Sequence, residues 1–551
     1  MKNLRVILGD LSYYNRHSLS VLYTPLNVGF VGQYINQVFG EDIRTSIYKS
    51  PVKLLQAVKE SKPDIVGLSL YYWNTKLNQH VIRQIRSICG DEVVIVLGGP
   101  SIDEDEVEQK RLLERFPGVD AFIVNEGELG FSNIVKGFLS NNNDMWSRPI
   151  DGAVFLGDSE LVKGESIGLS LDLATLGSPY LSGLMDDFLY GKYQPLIQTS
   201  RFCPYTCTFC VSGKLRGKLR AFPEEQVFEE ITFLSKIYAD RPNHTLLIGD
   251  ENFGILERDH KVAAHIRDCF KIMDYPKNVF FYNDKRFTDT SRKVVEILAD
   301  INQNGLILAL QTENSETLEA INRRNVSEEE IDNAIAWARN LDISTTTEII
   351  FGMPFETRDS FVDLLNRSVN RGFDAILCYN LFLVDGIELN RPKAREKYKI
   401  QTKFRMIRTN YGSLNGDFFA EHEEVVVATD SFSFEDFLEI RGLNFLFYAV
   451  FALDFYKWFF QYIRSIKVPL ADFFIDFLHP DLSISWPKDY LLFLGDFKNT
   501  VDEELFDTED ELKQHAQNVY RQNNNEVGEP QRINVYLGAR LIFIENSWLK
   551  D

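Results

Sequence analysis

The sequence predicts an α/β protein in three parts: an N-terminal doubly wound parallel sheet, a partial (βα)6 barrel and a C-terminal mainly helical domain. Three observations carry this. Short apolar runs alternate with helical patterns twice over, first in residues 1–145 and again in residues 193–400. A stretch rich in Leu, Ser, Gly and Pro, within residues 146–192, separates the two series. In residues 401–551 the alternation gives way to aromatic-rich helical periodicity and then to a charged, polar end.

In the first series, residues 4–8, 42–48, 64–70, 93–97 and 120–124 read as strands, with helical patterns at 25–39, 52–60, 77–88 and 129–139. Continuous apolar strands of this kind belong to a parallel sheet covered on both faces. Ligands of such sheets bind beyond the carboxyl ends of the strands, which singles out the loops 9–16, 71–74, 98–101 and 125–128. A small hairpin is expected at 150–160. The second series offers strands at 196–199, 245–248, 278–282, 306–310, 344–350 and 375–383, with helices such as 224–238 and 328–341 between them. Ser327, followed by acids, is a good start for the last of these. Six βα units fit an incomplete barrel better than a second open sheet, and barrel chemistry again sits at the carboxyl ends of the strands.

The C-terminal stretch 434–466 is crowded with Phe445, Phe447, Tyr448, Phe451, Phe455, Tyr456, Trp458, Phe459 and Phe460. A core helix packed on the barrel accounts for it, and a lid or apolar pocket wall is the alternative.

Composition narrows the function. With 44% hydrophobic and 25% charged residues the chain resembles an ordinary globular protein. A net charge of −21 argues against an electrostatic grip on nucleic acid. The most apolar run, 443–453, is about half the length of a membrane helix, and the N-terminus lacks the pattern of a secretory signal. A cytoplasmic protein with no membrane span is expected. Six cysteines are too few for a disulfide scaffold there, and Cys89, Cys269 and Cys378 read as small buried apolar residues.

The other three stand together in Arg201-Phe202-Cys203-Pro204-Tyr205-Thr206-Cys207-Thr208-Phe209-Cys210, directly after the first barrel strand. Three thiolates on one short loop can reach three corners of an iron–sulfur cubane, leaving the fourth iron without a protein ligand. A structural zinc site wants a fourth ligand, and the next His along is His244. A catalytic cysteine wants an adjacent base, which this loop does not supply.

Cys203, Cys207 and Cys210, with an aromatic at Phe209, form the Cys-x3-Cys-x2-Cys motif, and on it the segment resembles the radical S-adenosylmethionine (SAM) superfamily. The resemblance implies a 4Fe–4S cluster whose open iron chelates SAM, an electron donor as partner, and reductive cleavage to a 5′-deoxyadenosyl radical. It extends from Gln198 to about Leu383. It implies SAM contacts from Phe209, from Asp250, Glu251 and Asn252, from Asn283 and Lys285, from Gln311 and Glu313, and from Arg324 toward the carboxylate. Ile350 and Gly352 match the segment that packs against adenine. Taken singly, Asp250, Glu313 or Arg324 could equally be solvated surface charges; their order at consecutive strand ends is what favours a site. Many relatives carry Gly where this chain has Phe202.

A doubly wound domain ahead of such a barrel resembles the Rossmann-like cobalamin module of cobalamin-dependent radical SAM enzymes. The segments that carry this are 24–29, 67–70, 98–101 and 125–128. The resemblance implies cobalamin contacts from Leu26, Ser69, Tyr71, Tyr72, Trp73, Asn74, Gly98, Gly99, Pro100, Asn125, Glu126 and Gly127, with Tyr72 or Trp73 beneath the cobalt. The Asp-x-His-x-x-Gly motif that ligates cobalt elsewhere is missing after the first strand, although His17 lies in that loop. The family implies methylation of an unactivated carbon in a small-molecule substrate. Oxidation, cyclisation or ring rearrangement without methyl transfer is the first alternative, and RNA modification the second.

Overall fold

The computed structural model describes residues 3–13, 21–140, 145–158, 160–214, 218–452 and 457–522. Its first sheet has seven strands in the order β2-β1-β3-β4-β5-β6-β7: β1 (Leu4–Gly9), β2 (Ile43–Tyr48), β3 (Ile65–Ser69), β4 (Val94–Gly98), β5 (Ala121–Ile123), β6 (Ala153–Gly157) and β7 (Glu160–Lys163). The first five are parallel, and the order reverses between β1 and β3, which opens a crevice at their carboxyl ends. The hairpin expected at 150–160 lies slightly later and adds β6 and β7 antiparallel to β5, so it extends this sheet.

Helices cover both faces. Leu26–Phe39 and Gly127–Leu139 pack on one side with Phe30, Phe131 and Ile134 buried; Pro51–Ser61 and Thr75–Cys89 cover the other. Helix Glu106–Arg115 was not anticipated, although Asp105 caps it in a recognisable way, its carboxylate accepting from the Val107 and Glu108 amides. Thr75–Cys89 begins without a cap from its own Asn74. Glu421, 345 residues further along, accepts instead from the Lys76 and Leu77 amides at 3.0 Å each, and from the Tyr13 hydroxyl at 2.6 Å.

The barrel opens with β8 (Leu196–Ile197). The short antiparallel strands β9 (Ser200–Arg201) and β10 (Arg220–Ala221) then clasp the base of the cysteine loop. Six parallel strands follow in two arcs: β8 with β11 (Leu246–Ile248) and β12 (Val279–Phe280), and β13 (Leu306–Ile307) with β14 (Thr345–Phe351) and β15 (Ala375–Asn380). Between the arcs the Asn283 side chain substitutes for a backbone rung, donating to Ile307 O at 2.9 Å and accepting from Ile307 N at 3.1 Å. Along β14, Thr345, Thr347, Ile349 and Phe351 are buried, whereas Thr346, Glu348 and Ile350 are half-buried on the opposite face.

The run expected as one strand at 375–383 divides. After β15, the pair β16 (Phe382–Leu383) leaves the barrel and joins the long hairpin β17 (Gln401–Leu414) and β18 (Asp417–Ala428). The C-terminal part is mainly helical, as expected, and this hairpin is an unexpected addition at its start. Its turn, Asn415-Gly416, has φ of +55° and +91°, the left-handed pair that a two-residue hairpin requires. Helices follow from Phe434 to Gln522, with a π-helical stretch at Phe447–Ala452. Phe445, Phe447, Phe451 and Phe460 are core residues; Trp458 is exposed, and Phe455 and Tyr456 lie outside the described residues. Arg405 bonds Glu423 and Glu504, and Arg441 bonds Glu504, so a buried ion network fastens the helices to the hairpin. Among the described residues no helix is long and apolar enough to cross a membrane.

Candidate active site

The cysteine loop runs between β9 and β10 at the carboxyl end of β8. Cys203 and Cys207 are buried, Cys210 is half-buried, and none of the three is in a disulfide. The Cys210 amide donates to Cys207 O at 3.2 Å, turning the loop. Outer hydrogen bonds pin it to the barrel: Thr208 N to Ile321 O at 3.1 Å and Leu389 N to Thr208 O at 3.2 Å. Phe209 packs on the barrel core.

Polar groups gather at the sulfurs. Asn252 Nδ2 lies 3.2 Å from Cys203 Sγ, and Lys285 Nζ and Arg323 Nη1 lie 4.0 and 3.9 Å from Cys207 Sγ. Two cations complement the negative charge that a metal-bound thiolate carries. Among the described residues no three His, Cys, Asp or Glu side chains converge on a single ion. Thiolates serving separate irons of a cubane need no such convergence.

The strand-end residues divide sharply. Asn252, Lys285 and Gln311 face the loop or the barrel interior, and the buried Asn252 Oδ1 and Gln311 Oε1 have no hydrogen-bond partner, the mark of a site that takes a polar ligand. Glu251 accepts from Ser212 at 2.7 Å and reaches the large cavity described below. Asp250 turns the other way, its carboxylate saturated by Thr199 N, Thr199 Oγ1 and Ser200 Oγ. Glu313 is held in ion pairs with Arg371 and Arg367, and Asn283 is spent on joining the two arcs. Arg324 is exposed; its neighbour Arg323 is the buried one that reaches Cys207. Asn322, at φ +52°, turns the chain immediately ahead of the two arginines. Ile350 lies on the half-buried face of β14, and Gly352 has φ +103°, a conformation glycine accepts easily.

A cavity of about 400 Å3 lies between the first sheet and this loop. Leu26, Ser69, Tyr71, Gly98, Gly99, Pro100, Asn125, Glu126 and Gly127 line it from the sheet side; Leu196, Gln198, Arg201, Phe202, Ser212, Gly249 and Glu251 line it from the barrel side. A β-carbon on Gly98 would meet only Ile123, at 3.8 Å, and would otherwise project into the open cavity. A β-carbon on Gly99, at φ +128°, would strike Leu70 O at 2.6 Å. A concave, largely apolar wall at the switch point of a parallel sheet is the form a bulky cofactor requires.

Tyr72 and Trp73 do not line the cavity. Tyr71 does, and Trp73 stacks behind it with ring centroids 4.3 Å apart, while Tyr72 turns toward Phe382. The short 3-10 turn at Tyr72–Asn74 sets these directions. Asn74 is fully buried and bonds Leu11 O and Ser69 O, so it braces the loop. Ser69 donates to Asp10 at 2.7 Å, and Asp10 in turn pairs with the buried Lys49 at 2.8 Å. His17 lies outside the described residues.

Several groups that sequence reasoning missed complete the site. Arg201 bridges to Glu128 and Glu126 from the strand that feeds the cysteine loop. Burial pushes the Glu126 carboxyl up, opposed by Arg201 and Arg220. Partial burial raises Tyr282, Tyr379 and Glu348, although both phenol side chains keep an exposed part; the Glu348 carboxylate adds to the rise at both phenols. Burial and Glu423 push Tyr72 up to about 12.

Two family models match the two halves of this arrangement: the radical SAM superfamily over residues 197–367 and the B12 binding domain over residues 24–135. The chain is a radical SAM protein that carries a cobalamin-binding domain, with a 4Fe–4S cluster, SAM and cobalamin as its cofactors. It is 28% identical over 447 residues to the cobalamin-dependent radical SAM methyltransferase TokK of Streptomyces tokunonensis, covering 77% of this chain and 63% of that one. It is 27% identical to the 2-(S-pantetheinyl)-carbapenam-3-carboxylate methyltransferase of Streptantibioticus cattleyicolor, covering 77% and 62%. The chain thus spans less than two thirds of the length of these relatives. Among solved structures, the cobalamin-dependent SAM radical enzyme OxsB with aqua-cobalamin and SAM bound superimposes with a TM-score of 0.61 at 15% identity, over 97% of this chain and 83% of that one.

Proposed function

We propose that the protein is a methyltransferase that acts on an unactivated carbon of a small molecule, with Cys203, Cys207 and Cys210 as the cluster ligands. The observation that carries the reading is the shared cavity: Gly98, Gly99 and Pro100 face it from the cobalamin domain, and Arg201 and Phe202, the residues leading into Cys203, face it from the barrel. When bound, the cluster and SAM supply a carbon radical and the corrin supplies a transferable methyl group. The chain's own part is to hold these partners side by side and to keep out water and stray hydrogen donors.

In this reading Asn252, Lys285, Gln311 and Arg323 hold SAM against the cluster. Leu26, Ser69, Tyr71, Gly98, Gly99, Pro100, Asn125, Glu126 and Gly127 hold cobalamin through apolar contact and a few fixed hydrogen bonds. Because the Ser69 hydroxyl donates its hydrogen bond to Asp10, the serine presents only acceptor lone pairs to the cavity, which calls for a donor on the ligand. Tyr282 and Tyr379, both partly exposed and both within the field of Glu348, are the groups offered to a substrate. An electron donor of the reducing cytoplasm is the remaining partner.

Oxygen-free protein loaded with iron, sulfide and cobalamin, then given SAM and a low-potential reductant, tests this. Formation of both S-adenosylhomocysteine and 5′-deoxyadenosine supports methyl transfer. 5′-Deoxyadenosine alone, with a converted substrate, points to oxidation or cyclisation; neither product overturns the reading.

A further inference from the structure

We propose that Phe202 is the cobalamin-facing wall of the cysteine loop, kept against the preference of its own backbone because its ring closes the barrel side of the corrin cavity. The inference rests on the cobalamin reading above.

Phe202 has φ +80°. That region is comfortable for glycine and strained for a bulky side chain, and strain of this kind persists only where the surroundings fix it and use it. Glycine is the undemanding choice immediately before the first cysteine, so the aromatic ring needs a reason outside its own turn.

The surroundings supply one. Phe202 lines the same cavity as Gly98, Gly99 and Pro100. Its orientation is set by Arg220, whose guanidinium carbon lies 4.9 Å from the ring centroid. Arg220 is itself anchored by Leu171 O at 2.6 Å and by Glu126. Glu126 belongs to the sheet side of the same cavity. A continuous chain, Glu126 to Arg220 to Phe202, therefore runs from the cobalamin domain to the residue bonded to Cys203. A fixed aromatic face suits a flat conjugated macrocycle, which it meets by dispersion and apolar burial. Phe202 thus belongs to two sites at once: its backbone shapes the cysteine loop and its ring shapes the corrin cavity.

The test compares full-length Phe202→Gly, Phe202→Leu and Phe202→Tyr with the wild type, each loaded anaerobically with iron and sulfide. Hydroxocobalamin binding is measured by equilibrium dialysis, beside iron content and melting temperature. Phe202→Gly is expected to load iron normally and to melt at or above the wild-type temperature, because glycine accepts the positive φ. It should bind hydroxocobalamin about tenfold more weakly or worse. Phe202→Leu, which keeps the backbone strain and loses the ring, should show the same loss, and Phe202→Tyr should retain affinity. If Phe202→Gly fails to take up iron, Phe202→Leu decides alone. Wild-type affinity in the leucine variant overturns the proposal. A wild-type protein that holds its cluster and takes up no corrin defeats the cobalamin reading instead, a result distinct from wild-type binding that the Phe202 substitutions leave intact.

Discussion

Arg201 donates from Nη2 to Glu128 Oε1 over 2.8 Å, with both side chains enclosed. The guanidinium also lies 4.9 Å from the Phe30 ring centroid and 5.3 Å from that of Phe222. Glu128 opens a helix of the cobalamin domain, and Arg201 sits in the strand that leads into Cys203, so this pair rivets the two cofactor regions together. Removing Arg201 strands the Glu128 carboxylate away from water, whereas removing Glu128 leaves Arg201 its pair with Glu126. Arg201→Met is expected to cost about 3–5 kcal/mol in urea denaturation, and Glu128→Gln less. The double substitution Arg201→Met, Glu128→Leu should cost clearly less than the two single losses combined.

Adjacent glycines give opposite outcomes. Gly98→Val places its side chain in the open cavity, so the fold should hold while hydroxocobalamin uptake is lost. Gly99→Ala drives a β-carbon into Leu70 O and forces a non-glycine residue to φ +128°, so it should lower the melting temperature before binding is considered. Equal melting losses in both variants would remove the cavity from the argument.

Arg323 and Arg324 differ by one position and by their surroundings. Arg323→Gln takes a buried cation from beside Cys207 and is expected to weaken SAM binding about 10- to 100-fold, the range of one charge-assisted hydrogen bond. Arg324→Gln should leave it within twofold. Titration of SAM against the cluster's EPR signal reads both.

Glu230, in helix Glu224–Tyr238, is buried, and its carboxyl is pushed up to about 7 by that burial, against hydrogen bonds from Ser178 and Gln226. Its unfolded value is near 4.3, so the native state keeps a proton that the unfolded chain releases. Stability is therefore full below about pH 4.5, falls as pH rises toward 7, and by pH 8 is down by roughly 4 kcal/mol on this account. Glu230→Gln should flatten that part of the stability–pH curve and exceed the wild type at pH 8 while matching it in acid. Denaturation midpoints across pH 4.5–8 check the sign.

The parallel sheet and the barrel were legible because strands buried on both faces leave unbroken apolar runs, as in Ile65–Ser69 and Val94–Gly98. The three cysteines were legible from their spacing. The hairpin β17–β18 was missed because charged residues such as Arg405 and Glu423 lie on its buried side, satisfied by each other across the strands, and so hide the alternation. Its Asn415-Gly416 turn was the available signal. Side-chain direction was the other blind spot. Tyr71, Tyr72 and Trp73 look interchangeable in sequence, and only the 3-10 turn assigns Tyr71 to the cavity. Asp250 and Asn283 stand at strand ends as a site residue would, yet their hydrogen bonds are already spent on Thr199, Ser200 and Ile307. A chain position shows where a group can go, but not whether its bonds are taken.

Glu421, which finishes the helix Thr75–Cys89 and accepts a hydrogen bond from the Tyr13 hydroxyl, has a consequence for how the molecule is made. On the ribosome the first domain emerges with that helix end bare, beside the turn that orients Tyr71, and its carboxylate arrives only after some 345 further residues are joined. The end of that helix is therefore completed only once the hairpin has been synthesised and has packed against it.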